Sequence, residues 1–184
     1  MFKWILRLLA LAVLAGLGLF LWGRTLPVQH VASVSATLAR PAADVWNVLA
    51  DPQRYPDWYP EIERVTLLPD RDGKPCWRET GAHGSFTVVR AEADPPRRLV
   101  IELVHEPGEA PDVTGRWIVE LTPDGPGTRV TVVEDGRIHN PLYRALAQAW
   151  FGYHATAEGW LRALGRRFGE DVTPRRGEVG FPGA

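Results

Sequence analysis

Residues 38–65 read LARPAADVWNVLADPQRYPDWYPEIERV, and four structural instructions follow one another in this stretch. Leu38 closes an extended segment. Pro41 stands where a helix begins, since the missing N–H of proline costs nothing in a first turn. Val45, Trp46 and Leu49 then recur at helical spacing and give a short apolar face. Pro52, Pro56 and Pro60 forbid a long continuation. Tyr55, Trp58 and Tyr59 lie between those prolines, so large rings are carried on a stiff loop, and Ile62 opens the next extended run.

On either side the apolar pattern has a period of two. His30–Leu38 alternates and predicts a strand. Ile62–Leu68 predicts another, stopped by the turn sequence PDRDG at 69–73. Cys76–Thr80 and Ser85–Ala93 follow, separated by Gly81–Gly84, and Pro95–Pro96 turns into Leu99–His105. Val113–Thr122 places Val113, Gly115, Trp117, Val119 and Leu121 on one face. A second turn sequence, PDGPG at 123–127, leads to Thr128–Asp135. From Pro141 to Phe168 the period changes to 3.6, and Leu142, Leu146, Trp150, Tyr153, Ala157, Trp160, Leu161, Leu164 and Phe168 form one stripe of a long helix. Arg162, Arg166 and Arg167 near its end complement the helix dipole. Residues 170–184, rich in Gly and Pro, are expected to be a disordered tail.

The run P-x-x-x-V-W-x-x-L-x-D…Y-x-x-W-x-P resembles the start of the SRPBCC superfamily, also called START-like or polyketide cyclase/dehydrase-like. Here it comprises Pro41, Val45, Trp46, Leu49, Asp51, Tyr55, Trp58 and Pro60. Two weaker phrases extend the likeness: DPPRRL at 94–99 resembles the family's turn before its fifth strand, and GTRVTV at 127–132 its last strand. The resemblance covers about residues 31–168. It implies an α+β helix-grip fold, in which a curved antiparallel sheet of about seven strands wraps around a long C-terminal helix. An apolar cavity lies between the two. None of the residues that carry the likeness is catalytic.

The N-terminus has a different character. Residues 4–22 hold Arg7 as their only charge. At ~1.5 Å per residue the segment reaches nearly 30 Å, enough to cross a thin bilayer core. Trp4 and Trp22 stand at its ends, where interfacial rings are expected. Lys3 and Arg7 precede the apolar core and Arg24 follows it, a bias that places the N-terminus in the cytoplasm and the rest of the chain outside. The alternative is a cleaved signal peptide, but no small-x-small site follows promptly. Residues 1–24 are therefore expected to be a transmembrane anchor, residues 25–169 the START-like domain, and the localisation single-pass with an extracytoplasmic domain.

Composition excludes several classes. The formal net charge of -1 leaves no nucleic-acid footprint. A lone cysteine, Cys76, rules out an intrachain disulfide and a cysteine zinc cluster. Ser33, Ser35 and Ser85 are not in a nucleophile elbow. His30, His83, His105, His139 and His154 lack metalloprotease spacing, and no phosphate-binding glycine loop occurs. No cofactor and no metal are expected.

What remains is a polar and aromatic minority facing a cavity. Trp46 is expected in the core, and Trp58 and Pro60 at the cavity mouth. Trp77, Trp117, Trp150 and Trp160 are the candidate wall rings, and Tyr153 and His154 approach from the helix. If Ile101 and Leu103 point inward, so does His105; if Val130 and Val132 do, so does Glu134. His105 with Glu134 is the one ionisable pair the sequence nominates for acid–base work, against the plainer reading of two solvated strand ends. The function expected is binding of a hydrophobic small molecule, a lipid or isoprenoid-like compound. The alternatives are a cyclase/dehydrase-type enzyme using the same cavity, or a protein-interaction or chaperone-like module.

Overall fold

A computed structural model describes residues 2–82, 84–106, 108 and 110–177. The chain runs through α1 (Phe2–Thr25), β1 (Gln29–Leu38), α2 (Ala42–Leu49) and a 3-10 turn (Pro52–Asp57). It then forms β2 (Arg64–Arg71), β3 (Lys74–Gly81), β4 (Gly84–Asp94), β5 (Arg98–Val104), β6 (Val113–Asp124) and β7 (Gly127–Ile138). It closes with α3 (Pro141–Leu146), a π turn (Ala147–Phe151), α4 (Ala155–Arg167) and a short β8 (Arg175–Arg176). The strands form one antiparallel sheet in the order β2-β3-β4-β5-β6-β7-β1-β8. This is the helix-grip arrangement, α+β, with the long apolar helix at the N-terminus.

Alternation along the strands sends one face toward α4. Val34, Ala36 and Leu38 of β1 enter a single core with Val119 and Leu121 of β6, Val130 and Val132 of β7, and Leu161 and Leu164 of α4. The loop after α2 locks onto this core as its prolines dictate. The Asp51 side chain accepts from Gln53 N to start the 3-10 turn, and the buried Tyr55 hydroxyl donates to Leu49 O at 2.8 Å. Trp46 is buried, as expected for a core residue.

Two expectations about the C-terminal part need correction. The stripe from Pro141 to Phe168 is not one helix. Asn140 caps α3, its side chain accepting from Leu142 N at 3.0 Å, but the helix widens at Ala147–Phe151 and breaks at Gly152, where φ is 67°. Glycine adopts that backbone angle without the steric cost other residues meet, so Gly152 ends the first helix and α4 starts afresh. Only α4 lies in the grip of the sheet. The expected disordered tail is also folded as far as it is described. Val172 is buried against Gly165 of α4, β8 pairs with Val34 and Ser35 of β1, and Arg176 Nε donates to Glu158 at 2.7 Å. Residues 178–184 lie outside the described residues.

Lys3–Thr25 is long and apolar enough to cross a membrane. Its last turns are built into the domain. Gly23 is buried and Leu19, one turn before it, is half-buried, while the residues around them on α1 are exposed, and α3 packs along α1. A Cβ on Gly23 would stand 1.8 Å from Pro141 O, so the two backbones meet directly at this residue.

Candidate functional site: an apolar cavity under the last helix

A cavity of about 320 Å³ lies between the sheet and α4. Its floor is Val88, Ile101, Leu103, Val119 and Val132, and α4 covers it with Thr156, Ala157 and Trp160. Tyr55, Tyr59 and Ile62 close the side nearest the aromatic loop. Trp58 braces this wall from behind, edge-on to Trp160 with ring centroids 5.4 Å apart. The volume falls at the small end of the range of about 300–1,000 Å³ typical of ligand pockets.

The polar groups on the wall are few. Among the described lining residues they are the hydroxyls of Tyr55, Tyr59, Thr80 and Thr156, the indole N–H groups of Trp117 and Trp160, and the carboxyls of Glu61 and Glu79, and none is basic. Glu79 is held by the Trp77 indole, whose N–H donates to its Oε1 at 2.8 Å. Desolvation by burial raises the Glu79 pKa, and the indole bond offsets part of that rise. Burial also raises the Tyr59 phenol, with the Glu61 and Glu79 charges adding to it. Tyr59 therefore stays protonated at neutral pH.

The sign of the Glu79 effect gives a test. Its carboxyl holds a proton more tightly folded than unfolded. The resulting stability is present below the ordinary value near 4.5 and declines as pH rises through the folded value. Glu79→Gln should therefore melt higher than wild type at neutral pH, with the gap closing in acid. A gap that stays constant with pH in a thermal melt series would rule out Glu79 as its source.

The nominated side chains are divided by the fold. Trp117 and Trp160 line the cavity. Trp77 does not; its ring is 1% exposed in the core beside Tyr55, and its part is to hold Glu79. Trp150 is 67% exposed on the π turn, away from the cavity. His105 and Glu134 are not brought together. The His105 carbonyl accepts from Arg71 at 3.2 Å, and the residue borders a separate surface hollow with Arg78, Ser85 and Glu106. Glu134 instead meets His30 across the β1–β7 pair, Oε1 to Nε2 3.3 Å, with both side chains largely buried.

Tyr153 stacks on the His30 ring at 4.3 Å. The imidazole fits there because Gly136 has no side chain; a Cβ would stand 2.5 Å from the ring. Glu134 lies two residues along β7 from the lining residue Val132 and opposite Trp117, but His30, Glu134 and Tyr153 are not among the wall residues. Their contacts tie the start of β1 to the end of β7 and to the α3–α4 corner. His30→Ala should cost about 1–3 kcal/mol, since it leaves the Glu134 carboxyl buried without its partner. Ligand affinity should be unchanged. A melt within error of wild type, or a lost ligand, would contradict this structural role.

Sequence reasoning missed Tyr59, Glu61, Glu79 and His30. Glu79 carried a usable signal, since it is two residues from Trp77 on a strand and shares its face.

A curved sheet closed over one helix around an apolar cavity defines a START-like ligand-binding domain. Residues 29–169 match the family described as polyketide cyclase/dehydrase and lipid transport, and the chain belongs to that family. Solved structures agree in fold. The chain is similar to a START superfamily protein from Mycobacterium smegmatis, with 21% identity and a TM-score of 0.59 over 75% of this chain and 96% of that one. It is similar to the Zhui aromatase/cyclase of a Streptomyces species, with 21% identity and a TM-score of 0.58 over 74% and 91%. It is also similar to norcoclaurine synthase from Thalictrum flavum, with 13% identity and a TM-score of 0.60 over 78% and 88%. No curated protein matches the chain.

Proposed function

We propose that the protein is a membrane-anchored carrier or receptor for a hydrophobic small molecule, lipid or isoprenoid in character, held in the cavity under α4. The observation that carries this reading is the cavity, about 320 Å³ and walled by aliphatic and aromatic side chains. Burying an alkyl chain there yields about 0.8 kcal/mol per methylene, so affinity needs few polar contacts. Tyr59 and Glu79 suit a hydroxyl or amine at the ligand's polar end, because one wall group accepts and the other donates.

The anchor supports the same reading, since such ligands concentrate in bilayers. The domain is assigned to the extracytoplasmic side, on the bias of Lys3 and Arg7 before the apolar core. An uncleaved anchor is preferred to a signal peptide because Arg144, buried in α3, donates from Nε to Gly23 O at 2.9 Å. Cleavage would strip that guanidinium of a partner.

Native mass spectrometry of the full chain, extracted in mild detergent, tests the reading. A co-purifying lipid-like mass and saturable binding of a fluorescent fatty acid are expected. No bound mass and no fatty-acid binding would overturn it.

A cyclase/dehydrase-type enzyme is the second reading, and Glu79 favours it: a buried carboxyl on the cavity wall, pushed above its ordinary value, is suited to proton transfer. In that case the bound compound changes mass on incubation, and Glu79→Gln stops the change while still binding. An unchanged mass would leave binding alone.

A further inference from the structure

The strand register gathers several features at one end of the sheet. Gln29 at the start of β1 lies opposite Arg137, Val113 at the start of β6 opposite Ile138, and Val104 at the end of β5 opposite Thr87. Gly81 and Gly84 form the β3–β4 tip at the same end. This is the end where α1 enters the domain, Ile138 N donating to Val28 O at 2.9 Å. It is also where the cavity opens. The exposed members of its wall, Glu61, Gly84, Phe86 and Thr156, lie there or on the adjoining loop and helix start, whereas Val88, Val119 and Val132 farther along their strands are buried.

The segment joining the sheet to α4 belongs to the same end. α3 runs beside the last turns of α1, and Gly23 is buried where its backbone meets Pro141. Leu19, a full turn before Gly23, is half-buried as well. Residues 145–153 read ALAQAWFGY and carry no charge. Tyr143 is 46% and Trp150 67% exposed, and Trp22 on α1 is 41% exposed. A helix laid along a membrane span shares that span's surroundings, and exposed Trp and Tyr rings are the side chains favoured at the level of the headgroups. In water the same rings would be uncovered apolar surface.

We propose that Tyr143–Trp150 is a second membrane contact, seated in the headgroup–acyl boundary beside α1. It holds the open end of the cavity against the bilayer, so that a lipid-like ligand passes between membrane and cavity without crossing bulk water. The proposal rests on α1 spanning the membrane. Its occupant is the lipid surface that α1 itself enters.

The test uses the full chain in phosphatidylcholine nanodiscs, on a Cys76→Ala background. An environment-sensitive fluorophore is attached through one of four changes: Leu14→Cys in the middle of α1, Trp150→Cys, Ser85→Cys at the open end, and Thr122→Cys at the opposite end. Spin-labelled lipids are the quencher. Strong quenching is expected at 14, several-fold stronger quenching at 150 than at 122, and an intermediate value at 85. If 14 is quenched and 150 matches 122, the second contact is wrong while the anchor stands. Quenching absent at 14 removes the membrane reading and the proposal with it. A label at 150 shielded by a second copy of the chain, detected as a cross-linked dimer without lipid quenching, also overturns it.

Trp150→Ser supplies an independent readout. Transfer of a fluorescent fatty acid from donor vesicles should slow several-fold with equilibrium binding unchanged. An unchanged transfer rate would refute the direct route.

Discussion

Ala157→Phe is expected to abolish ligand binding while leaving the protein folded. Ala157 is 2% exposed and faces the cavity from α4. Most core positions would reject a phenyl ring, because overpacking forces neighbours off their rotamers at a cost of about 1–3 kcal/mol. Here the ring has a void of about 320 Å³ to enter. It excludes the ligand instead of displacing the core. If it takes the place of about four methylenes of ligand, the loss is near 3 kcal/mol, or more than a hundredfold in affinity. Titration with a fluorescent fatty acid and a thermal melt on the same sample decide the matter. Retained affinity in a folded Ala157→Phe protein would mean that the ligand binds elsewhere, and the cavity reading would fail.

Arg144→Ala is expected to have the largest effect on stability. The guanidinium is 5% exposed and donates to three carbonyls: Gly23 O at 2.9 Å, Ile138 O at 2.8 Å and His139 O at 3.2 Å. It therefore caps the end of α1, secures the end of β7 and holds α3 between them. Its positive charge also sits at the negative end of the α1 dipole. Truncation leaves all three acceptors without that donor, and the cost is about 3–5 kcal/mol. For a chain of this size that lowers the melting midpoint by roughly 10 °C. Proteolysis between Thr25 and Val28 should speed up as the joint opens. Arg144→Lys, with a point charge in place of a planar fork, should lose less. An unchanged midpoint and cleavage rate would show that α1 hangs loosely from the domain.

These two predictions differ in how far the sequence foretold them. Ala157 was on the helical stripe, and a cavity beneath it followed from the family resemblance. Arg144 carried no sequence signal, because its three acceptors are backbone carbonyls. The same contrast holds across the site. Trp117 and Trp160 were legible as wall residues because period 2 and period 3.6 assign faces. His105 was misplaced by the same rule: it lies one residue past the end of β5, where alternation no longer governs direction. Glu134 shares the strand face of Val130 and Val132, but it is not on the cavity wall, and its partner is 104 residues away on β1. Pairing of that kind depends on which strands become neighbours. Trp150 was counted on a continuous stripe that Gly152 interrupts.

Local chemistry was enough to specify the elements. Proline placement, alternation and the long apolar run set the strands, the short helix with its aromatic loop, and the membrane-length helix, since each depends only on nearby backbone and burial preferences. The meeting points needed the folded chain: His30 between Tyr153 and Gly136, Arg144 across α1 and β7, and the cavity opening at the end of the sheet where α1 enters. Each joins segments far apart along the chain or depends on how tightly side chains fill the space between sheet and helix, and neither property is written in the order of residues along one segment.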